Sequence, residues 1–558
     1  MIKNLRLIFC FLLVAKFSFT QITITDADLA GGQAYNWTND NIYLLDGYVF
    51  LEEGGTLNIE AGTVIKGLVD PTNGTDNASA LIIGKGAQIF ASGSPEAPII
   101  FTAEDDNTSD PTDFLVTDRG EWGGLIILGN APINNEGGST NIEGIPSDNG
   151  KAIYGGTDIA DNSGVLKYVS IRHGGAVLQA NDEINGLTLG GVGNGTVIDY
   201  IEVIANDDDG IEWFGGTVDV KHAIVAFCAD DAMDTDDGWA GRLQYGFVIQ
   251  GDDRADNGGE HDGGSAANMS NFSDPIFANC TYIGSGSENN GKDGLKNGHA
   301  LHFKEKVGGG YYNSIFTDFA NEGLEVEDIP SSEGFDAYEN LQNGKLTLSG
   351  NIWFGFGTGS TWDDIILITD GADDDDASDL KAHLAANNNQ IVDPQIQGIS
   401  RTADQGLDPT LRAGSPALTG AVDLGDNFFE DVAYIGAFDK TNWALGWTAT
   451  DEYGYFGQLQ TTSIFDPITN EQLANIQAFP NPATNYIQVT ISLKEATTLN
   501  MQLFDVQGKL VNTFIANNRL SEGDHNFELN LTPISNGIYF LTISDKKNVI
   551  TKKLIINK

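Results

Sequence analysis

Short apolar segments broken by Gly, Asn and Asp recur along the chain from Gln21 to about Phe438. Early examples are GGTLNIEAGTVIKG (residues 54–67) and ALIIGKGAQIFASG (80–93), in which apolar and polar residues alternate. An alternation of this kind is typical of a β-strand with one buried face. Since each strand is too short to form a core alone, the pattern predicts that successive strand-and-turn units stack on one another.

The spacing of the apolar residues in the middle of the chain indicates how the units stack. Val203, Val225 and Phe247 follow one another at intervals of 22 residues. An interval near 22 is typical of one coil of a parallel β-helix, and we therefore predict an all-β solenoid over residues 21–440. Three longer segments interrupt the repeat and could build a binding wall beside the coils: residues 134–164, 254–273 and 327–345.

A different pattern begins near Asn475. Residues 475–558 contain 8 Lys and Arg against 6 Asp and Glu, whereas the whole chain has a net charge of −50. Short alternating strands, such as YIQVTISL and GIYFLTIS, are separated by Gly, Asn and Pro. We predict a small C-terminal β-sandwich over residues 475–558, joined to the solenoid by a linker over residues 441–474.

The C-terminal module also resembles the type A sorting domain of the Bacteroidetes type IX secretion system. The matching segments are FPNP (479–482), LFDVQGKLV (503–511), NGIYFLTI (536–543) and the terminal KKLIINK. The resemblance implies export by the type IX machinery and a location that is either secreted or at the outer-membrane surface. In the preceding domain, DPTLRAGSPALTGAVDLG and the following YIGAF resemble the closing segment of secreted right-handed β-helix proteins, which implies a right-handed parallel β-helix.

The N-terminus and the overall charge are consistent with an extracellular protein. Residues 1–20 carry Lys3 and Arg6 before an apolar stretch that is too short to span a bilayer, which predicts a cleaved signal peptide. No later stretch predicts a membrane span. The charge of −50 excludes nucleic acid and anionic lipid as partners. Cys228 and Cys280 remain after cleavage, either as a disulfide or as buried thiols.

Acidic residues repeat at the same 22-residue interval. In a regular β-helix these positions lie directly above one another, about 4.8 Å apart, so the carboxylates would repel one another. Two further positions extend the predicted second and third columns if the intervening inserts are looped out: His299 and Glu322, and His302 and Glu325. The three predicted columns are Asp208, Asp230 and Asp252; Asp209, Asp231 and Asp253; and Glu212, Asp234 and Asp256.

A bound cation would neutralise such an array. Calcium is the ion that we expect, because it accepts about six to eight oxygen ligands in irregular geometry, and the columns offer oxygens only. The alternative is that the acids extend into water and are screened by salt.

The segments DDDGIE and ADDAMD resemble the first two catalytic motifs of the polygalacturonase family. That resemblance implies an inverting hydrolysis in which Asp209, Asp230 and Asp231 act as acid and base, with His299 as the histidine of a later motif. The chain departs from the family where Gly-Asp-Asp (251–253) stands at the place of Gly-His-Gly, and it lacks the Arg-Ile-Lys motif.

The competing prediction is a calcium-stabilised glycan-binding or adhesion protein without catalytic activity. Trp213, Phe214 and Trp239 lie beside the acidic columns and, if exposed, could stack on the sugar rings of an extracellular glycan. Whether the protein is an enzyme, either a glycoside hydrolase or a polysaccharide lyase, is therefore left open by the sequence.

Overall fold

The computed structural model divides the chain into two compact units, Met1–Gln458 and Leu459–Lys558. The predicted signal peptide, apart from Thr20, lies outside the described residues. The structure describes residues 20–74, 76–146, 150–176, 184–264, 272–289, 298–330, 335–369, 377–457, 473–479, 483–493, 496–505, 509–544, 549–556 and 558.

The regular secondary structure of the first unit is mostly short strands. Its helices are α1 (Ala337–Gln342), α2 (Trp362–Ile365), α3 (Ser378–Ala386) and α4 (Ala449–Glu452), with 3-10 turns at Asp26–Asp28, Ser287–Asn289 and Pro416–Leu418. The strands are β1 (Thr20–Ile24), β2 (Ala34–Trp37), β3 (Asn41–Leu45), β4 (Tyr48–Leu51), β5 (Thr56–Ile59), β6 (Val64–Gly67), β7 (Ala80–Ile83), β8 (Gln88–Ser92), β9 (Ile99–Ala103), β10 (Leu125–Leu128), β11 (Thr140–Asn141), β12 (Ile153–Tyr154), β13 (Gly164–Arg172), β14 (Leu187–Val192), β15 (Val197–Ile204), β16 (Ile211–Gly216), β17 (Val220–Ala226), β18 (Met233–Asp236), β19 (Arg242–Ile249), β20 (Gly259–Asp262), β21 (Ile276–Ala278), β22 (Thr281–Ile283), β23 (Leu301–Lys304), β24 (Gly309–Tyr312), β25 (Ile315–Phe319), β26 (Leu324–Glu327), β27 (Leu346–Ser349), β28 (Ile352–Phe356), β29 (Ile366–Thr369), β30 (Gln390–Ile391), β31 (Ile396–Gly398) and β32 (Asp408–Leu411).

These strands form a right-handed parallel β-helix, which confirms the predicted fold. The coils build three parallel faces, and the lumen between the faces holds the main apolar core. In the middle coils one long strand, β13, β15, β17 or β19, serves both the first and the second face. The first face runs from β2 through β5 and β8, and the second from β1 through β3 and β6. The third face is a separate sheet in the order β4, β7, β10, β14, β16, β18, β20, β23, β26 and β29.

The coils differ in length, so the 22-residue interval holds only in part. Val203 pairs with Val225 as predicted, but Val225 pairs with Val248 and not with Phe247. One additional residue in that coil changes which side chain enters the lumen, because neighbouring strand positions face opposite sides. Phe247 consequently packs outside the coil, against Phe438 at 5.1 Å between ring centres.

The first and second faces meet at a bend that carries a ladder of stacked rings. Tyr168, Tyr200, His222 and Tyr245 follow one another coil by coil, with ring centres 4.4, 4.1 and 4.9 Å apart. All four have positive φ, which turns the chain between the two faces. Stacking along the ladder compensates for a backbone conformation that non-glycine residues rarely adopt.

The segment after the last coils packs along the outside of the second face. Trp447, Ala449 and Phe456 belong to a buried cluster that also includes Ile224 and Phe247. Residues 441–457 fall within the predicted linker, and the prediction of a linker is wrong for that part. Residues 458–472 of the predicted linker lie outside the described residues, and its last two, 473–474, begin a strand of the second unit.

A buried carboxylate attaches this segment to the β-helix. Glu202 accepts hydrogen bonds from the backbone N–H groups of Ala449 and Thr450, at 2.7 and 3.0 Å. It also accepts one from the Ser170 hydroxyl at 2.6 Å. Nearby, the fully buried Arg172 forms an ion pair with Glu452 at 2.9 Å. The start of α4 is therefore held by charge-assisted hydrogen bonds in addition to apolar contacts.

The second unit is an antiparallel sandwich with its own apolar core, as predicted. Three strands form one sheet in the order β33, β34, β37, and four form the other in the order β36, β35, β38, β39. Their bounds are β33 (Leu473–Phe479), β34 (Tyr486–Leu493), β35 (Thr497–Asp505), β36 (Leu510–Leu520), β37 (Gly523–Asn530), β38 (Gly537–Ser544) and β39 (Val549–Ile556).

The two cysteines left open by the sequence are both buried and both free. In the part of the chain that the structure describes, no helix has the length and apolar character needed to cross a bilayer.

The Glu202 contacts generate a stability prediction. In Glu202→Gln the amide presents donors to N–H and O–H groups that need an acceptor, so we expect a loss of about 3 kcal/mol and earlier cleavage within residues 443–457. Thermal melting and limited proteolysis measure the two effects. The exposed Glu96→Gln is the matched control, and proteolysis identical to that of the wild type would contradict the role given to Glu202.

Candidate functional site

The outer surface of the third face changes from apolar to charged along the solenoid. From β4 to β10 it carries apolar side chains that pack with Ile142, Ile145 and Tyr154 of the insert over residues 134–164. From Glu212 of β16 onward it carries charge, because the residues that alternate with the lumen-facing positions are ionisable. The outward charged residues of the five coils are Glu212; Asp234 and Asp236; Glu260 and Asp262; His302 and Lys304; and Glu325 and Glu327.

A second column lies in the turn that precedes these strands. The N–H of Gly210 donates to the carbonyl of Asp231 at 3.0 Å, and the N–H of Ala232 donates to that of Asn257 at 3.1 Å. In the same way, the N–H of Gly258 donates to the carbonyl of His299. The side chains reinforce the stack, because Asp209 Oδ1 accepts the N–H of Asp231 and Asp231 Oδ1 accepts the N–H of Asn257, at 2.9 and 2.6 Å.

The predicted acidic columns are correct for their first two coils and wrong for the third. Asp209 stacks under Asp231, and Glu212 pairs with Asp234. In the third coil, four additional residues before β20 shift the register, so Met233 pairs with Gly259. The predicted positions of Asp252, Asp253 and Asp256 are consequently occupied by Asp256, Asn257 and Glu260.

The displaced residues have other surroundings. Asp253 forms an ion pair with Arg119 at 2.7 Å, and the guanidinium hydrogen bonds lower the pKa of Asp253 although burial opposes its ionisation. Asp252 is exposed. The N–H of Asp256 lies 3.4 Å from the carbonyl of Asp230, so Asp256 continues the column that starts with Asp208.

The predicted extension of the columns is confirmed. Glu260 pairs with His302, and His302 pairs with Glu325 on the next coil. In the turn column, the N–H of Ala300 donates to the carbonyl of Glu322, which places Glu322 beside His299. The site therefore extends over five consecutive coils and not three.

Six carboxylates form a compact cluster at the centre of this surface. Their side-chain oxygens fall into three overlapping groups in which all atoms lie within 4.8 Å of one another. One oxygen of Asp234, Oδ1, is buried without a hydrogen-bond partner. The groups are Asp209, Glu212 and Asp234; Asp209, Asp230 and Asp231; and Asp231, Asp234 and Glu260.

Burial and mutual repulsion oppose ionisation of this cluster. Asp209, Glu212, Asp231 and Asp234 are each at most 8% exposed. Burial raises the pKa of all four well above the ordinary range, and the charges of the neighbouring acids raise it further. On the next strand position, burial and Asp237 raise the pKa of Asp236 to about 6.

The coil above supplies positive charge to only one edge of the cluster. Glu260 contacts His302 at 3.0 Å and Lys304 at 2.7 Å, and these two hydrogen bonds outweigh burial and lower the pKa of Glu260 to about 2. Burial raises the pKa of Asp262 to about 7 although Lys304 lies 3.1 Å away. Among the ion pairs of the described residues, none joins a cation to Asp209, Glu212, Asp231 or Asp234.

His299, the predicted catalytic histidine, is held between two carboxylates. Its ring nitrogens lie 3.1 Å from Glu322 and 2.8 Å from Glu325. Burial disfavours the charged ring, but the two carboxylates outweigh it and raise the pKa of His299 to about 9. The charged form of His299 is therefore favoured at neutral pH, and its Nε2 is hydrogen-bonded to Glu322.

The three predicted carbohydrate-binding aromatic residues are buried, so that prediction is wrong. Trp213 and Trp239 are fully enclosed in the lumen and stack on each other at 4.7 Å between ring centres. Phe214 points outward but is covered by Tyr154 of the insert, at 6.2 Å. The physical reason is that an unbroken solenoid needs large side chains to fill its lumen and to seat its insert.

Sequence reasoning missed Glu260, Asp236 and Asp262. A fixed interval of 22 residues could not find Glu260 and Asp262, because the coils lengthen after β18. Asp236 does keep the interval, but the residue one coil below it is Phe214 and not an acid. A repeated local pattern could have identified these residues. In each coil, two small or apolar residues precede an ionisable residue whose side chain points outward. The five segments are GIEWF (210–214), AMDTD (232–236), GGEHD (258–262), ALHFK (300–304) and GLEVE (323–327).

Comparison with known proteins gives two matches. Residues 32–389 match the model of the pectate-lyase like beta helix domain, and residues 477–557 match that of the secretion system C-terminal sorting domain. No curated protein matches the chain. The sorting domain shows that the protein uses the type IX secretion machinery and is secreted or exported to the cell surface, as predicted.

The raised pKa values generate a prediction for the metal-free protein. The folded state holds protons on Asp209, Glu212, Asp231 and Asp234 at pH values where the unfolded chain has released them. The stability linked to these protons is complete below about pH 4, the ordinary pKa of a carboxyl group, and is lost as the pH rises through the folded pKa. Thermal melting in chelator should therefore show a midpoint that falls as the pH rises above the ordinary carboxyl range.

Asp234→Asn isolates the contribution of one carboxyl group. Because an amide has no proton to lose, the variant should be more stable than the wild type at about pH 8 in chelator, by on the order of 1 kcal/mol. The exposed Asp70→Asn is the matched control. If both variants follow the wild-type pH dependence, the cluster does not carry the effect.

Proposed function

The chain belongs to the family of the pectate-lyase-like β-helix domain, and from that premise we propose that it is an extracellular, calcium-dependent glycan-binding or adhesion protein. The calcium ion would be held by the carboxylate cluster on the third face. The observation that carries the proposal is the close packing of four buried carboxyl groups, Asp209, Glu212, Asp231 and Asp234, in which Asp234 keeps an oxygen without a hydrogen-bond partner.

A divalent cation offers the simplest relief of this repulsion. At 4.8 Å, two carboxylates repel by about 3 to 4 kcal/mol at an effective dielectric constant of 20. Repulsion of this size acts among several pairs of the cluster, and burial removes the water that would screen it. Without a cation the groups retain protons, and with a cation they can ionise and act as ligands.

The donor set favours calcium over other metals. Carboxylates from Asp209, Asp230, Asp231, Asp234, Glu212 and Glu260 would supply oxygen only, and calcium tolerates the irregular placement that three stacked coils provide. Zinc and other transition metals favour nitrogen or sulfur. The ring nitrogens of His299 and His302 contact glutamates.

That the ligand is a glycan is inferred from the position of the cluster and from the charge of the protein. The cluster lies on an outward face of the β-helix, beside the insert. A chain with a net charge of −50 repels an acidic polymer unless a cation bridges the two. A bound calcium ion has coordination positions for carboxylate or hydroxyl oxygens of a sugar. Buried Trp213 and Trp239 would take no part in this contact.

A polysaccharide-degrading activity is the second candidate. The partly exposed Asp230 lies beside Asp231 and Asp209, whose pKa values are raised by burial, and carboxyl groups in such unlike surroundings favour it. Against an inverting hydrolysis, the closest oxygens of the three lie within 4.8 Å, whereas the carboxyl groups of such enzymes are about 6.5 to 9.5 Å apart. Lys304 is paired with Glu260 and Asp262, which raises its pKa and makes it a poor base for a lyase.

Calcium binding is tested by calorimetry and melting of the full chain. We expect calcium to raise the melting midpoint, by a stabilisation of about 2.7 kcal/mol at 100 times the dissociation constant. Asp234→Asn should weaken calcium binding at least about tenfold, a loss of about 1.4 kcal/mol, and Asp70→Asn should leave it unchanged. An unchanged midpoint with calcium and with chelator would refute the calcium site.

Binding and catalysis are separated by a glycan panel of acidic and neutral polysaccharides. We expect calcium-dependent retention of an acidic polysaccharide, lost in Asp231→Asn and in chelator, without new reducing ends or unsaturated products. Release of either product by the wild type and its loss in Asp231→Asn would establish the second candidate instead. Retention that persists in chelator would overturn the calcium-bridged mode of binding.

A further inference from the structure

The carboxylate cluster of the third face extends over three coils and therefore contains two gaps between coils. In the lower gap, Asp209 and Glu212 of the β16 coil face Asp234 of the β18 coil. In the upper gap, Asp231 and Asp234 of the β18 coil face Glu260 of the β20 coil. The two groups of three carboxylates share only Asp234.

Each group has the size of one calcium site. The ligand oxygens within a group all lie within 4.8 Å of one another. Calcium binds oxygen at about 2.3 to 2.6 Å, so two oxygens on opposite sides of one ion are about 5 Å apart. Among the described residues, no group contains Glu212 together with Glu260. Their backbones lie two coils apart, about 9.6 Å along the axis, so an ion in one gap leaves the glutamate of the other gap unbound.

The outer coils hold these two glutamates apart. Asn185, from the coil below, donates a hydrogen bond to Glu212 Oε2. His302 and Lys304, from the coil above, contact Glu260 at 3.0 and 2.7 Å. The contacts draw the two carboxylates in opposite directions along the solenoid axis, and each glutamate stays at its own gap.

Asn257 adds a buried amide to the upper gap. It is 1% exposed, and its Oδ1 has no hydrogen-bond partner. The rest of the residue contacts two members of the upper group: its N–H donates to Asp231 Oδ1 at 2.6 Å, and its Nδ2 lies 3.4 Å from Glu260 Oε1. A buried amide oxygen without a donor is costly, and calcium accepts amide oxygens as ligands.

Asp234 lies between the two gaps and also keeps a buried oxygen without a partner, Oδ1. Because its carboxylate belongs to both groups, it can offer one oxygen to an ion in each gap. A carboxylate between two cations reduces their mutual repulsion. The four buried carboxyl groups of the cluster carry four negative charges when they ionise. One divalent ion balances half of that charge, and two balance all of it.

We propose that the cluster binds two calcium ions in adjacent gaps, with Asp234 as the bridging ligand and Asn257 as a neutral ligand of the upper ion. The inference rests on the proposed calcium site and adds to it a second ion and an amide ligand. The ions would be separated by one coil, about 4.8 Å. The ligands would be Asp209, Glu212 and Asp234 for the lower ion, and Asp231, Asp234, Glu260 and Asn257 for the upper ion.

The number of ions is measured by native mass spectrometry and calorimetry of the full chain, stripped with chelator and titrated with calcium chloride. Asp234→Asn removes the bridging ligand, weakens both ions and so gives the background of calcium bound elsewhere. Above that background we expect two ions in the wild type and one in each of Glu212→Gln and Asn257→Ala, where the affinity of the other ion falls at least about tenfold. Asp70→Asn should keep both. A single ion in the wild type would overturn the proposal.

Asn257→Asp separates a ligand role of Asn257 from a packing role. Aspartate keeps an oxygen at this position, so Asn257→Asp should retain two ions whereas Asn257→Ala retains one. If Asn257→Asp also binds one ion, or if Asn257→Ala binds two, Asn257 is not a ligand of the upper ion.

The distance between the ions is tested with lanthanides, which replace calcium at oxygen sites. Energy transfer from terbium to europium falls steeply with distance, so ions about one coil apart should give efficient transfer in the wild type loaded with both metals. Glu212→Gln and Asn257→Ala should abolish the transfer. Two bound ions without energy transfer would place the second ion outside the cluster.

This inference and the proposed function fail in different ways. One calcium ion that is weakened alike by Glu212→Gln and by Glu260→Gln would refute the second ion and leave the calcium-dependent function in place. A wild type that binds no calcium above the Asp234→Asn background would refute both.

Discussion

The hydrogen bonds between successive coils are the constraint on which the rest of the structure depends. They place residues that are distant along the chain about 4.8 Å apart and in fixed vertical register. For apolar residues this register builds a continuous lumen, where Trp213 and Trp239 stack on each other. The same register brings the carboxyl groups of Asp209, Asp231 and Asp234 close to one another, because the hydrogen-bond ladder that aligns their backbones also fixes the direction of their side chains.

The outer surface of the third face is stabilised differently in its two halves. The first half of that outer surface is apolar and would be exposed, but the insert over residues 134–164 covers it with Ile142, Ile145 and Tyr154. The second half is charged and is partly neutralised by its own side chains, since His302 and Lys304 occupy the coil between Glu260 and Glu325. The boundary between the two halves lies at β16. Its outward side carries one acidic residue, Glu212, and one apolar residue, Phe214.

The sequence predicted those features that depend on local pattern. The alternation of apolar and polar residues predicted the strands and the stacked architecture, and the motifs from Phe479 onward predicted the sorting sandwich. The columns of Asp209 with Asp231 and of Glu212 with Asp234 were also within reach, because the coil between them has no insertion. The register beyond β18 could not be predicted, because a turn can gain four residues without any change in the composition of the strands. Such a gain occurs before Gly259. Burial of Trp213 depends on which face points inward, and a one-residue shift reverses that.

The distribution of counter-charges explains why the proposed cation site lies where it does. Lys304 and His302 reach Glu260 and lower its pKa to about 2, so that carboxylate is ionised at any neutral pH. One coil below, Asp234 and Asp231 face the negative charge of Glu260, and the charge raises their pKa in addition to burial. A cation bound between them would therefore meet one carboxylate that is already ionised and would displace protons from the others. Affinity for the ion must then fall as the pH falls, because protons and the cation compete for the same oxygens.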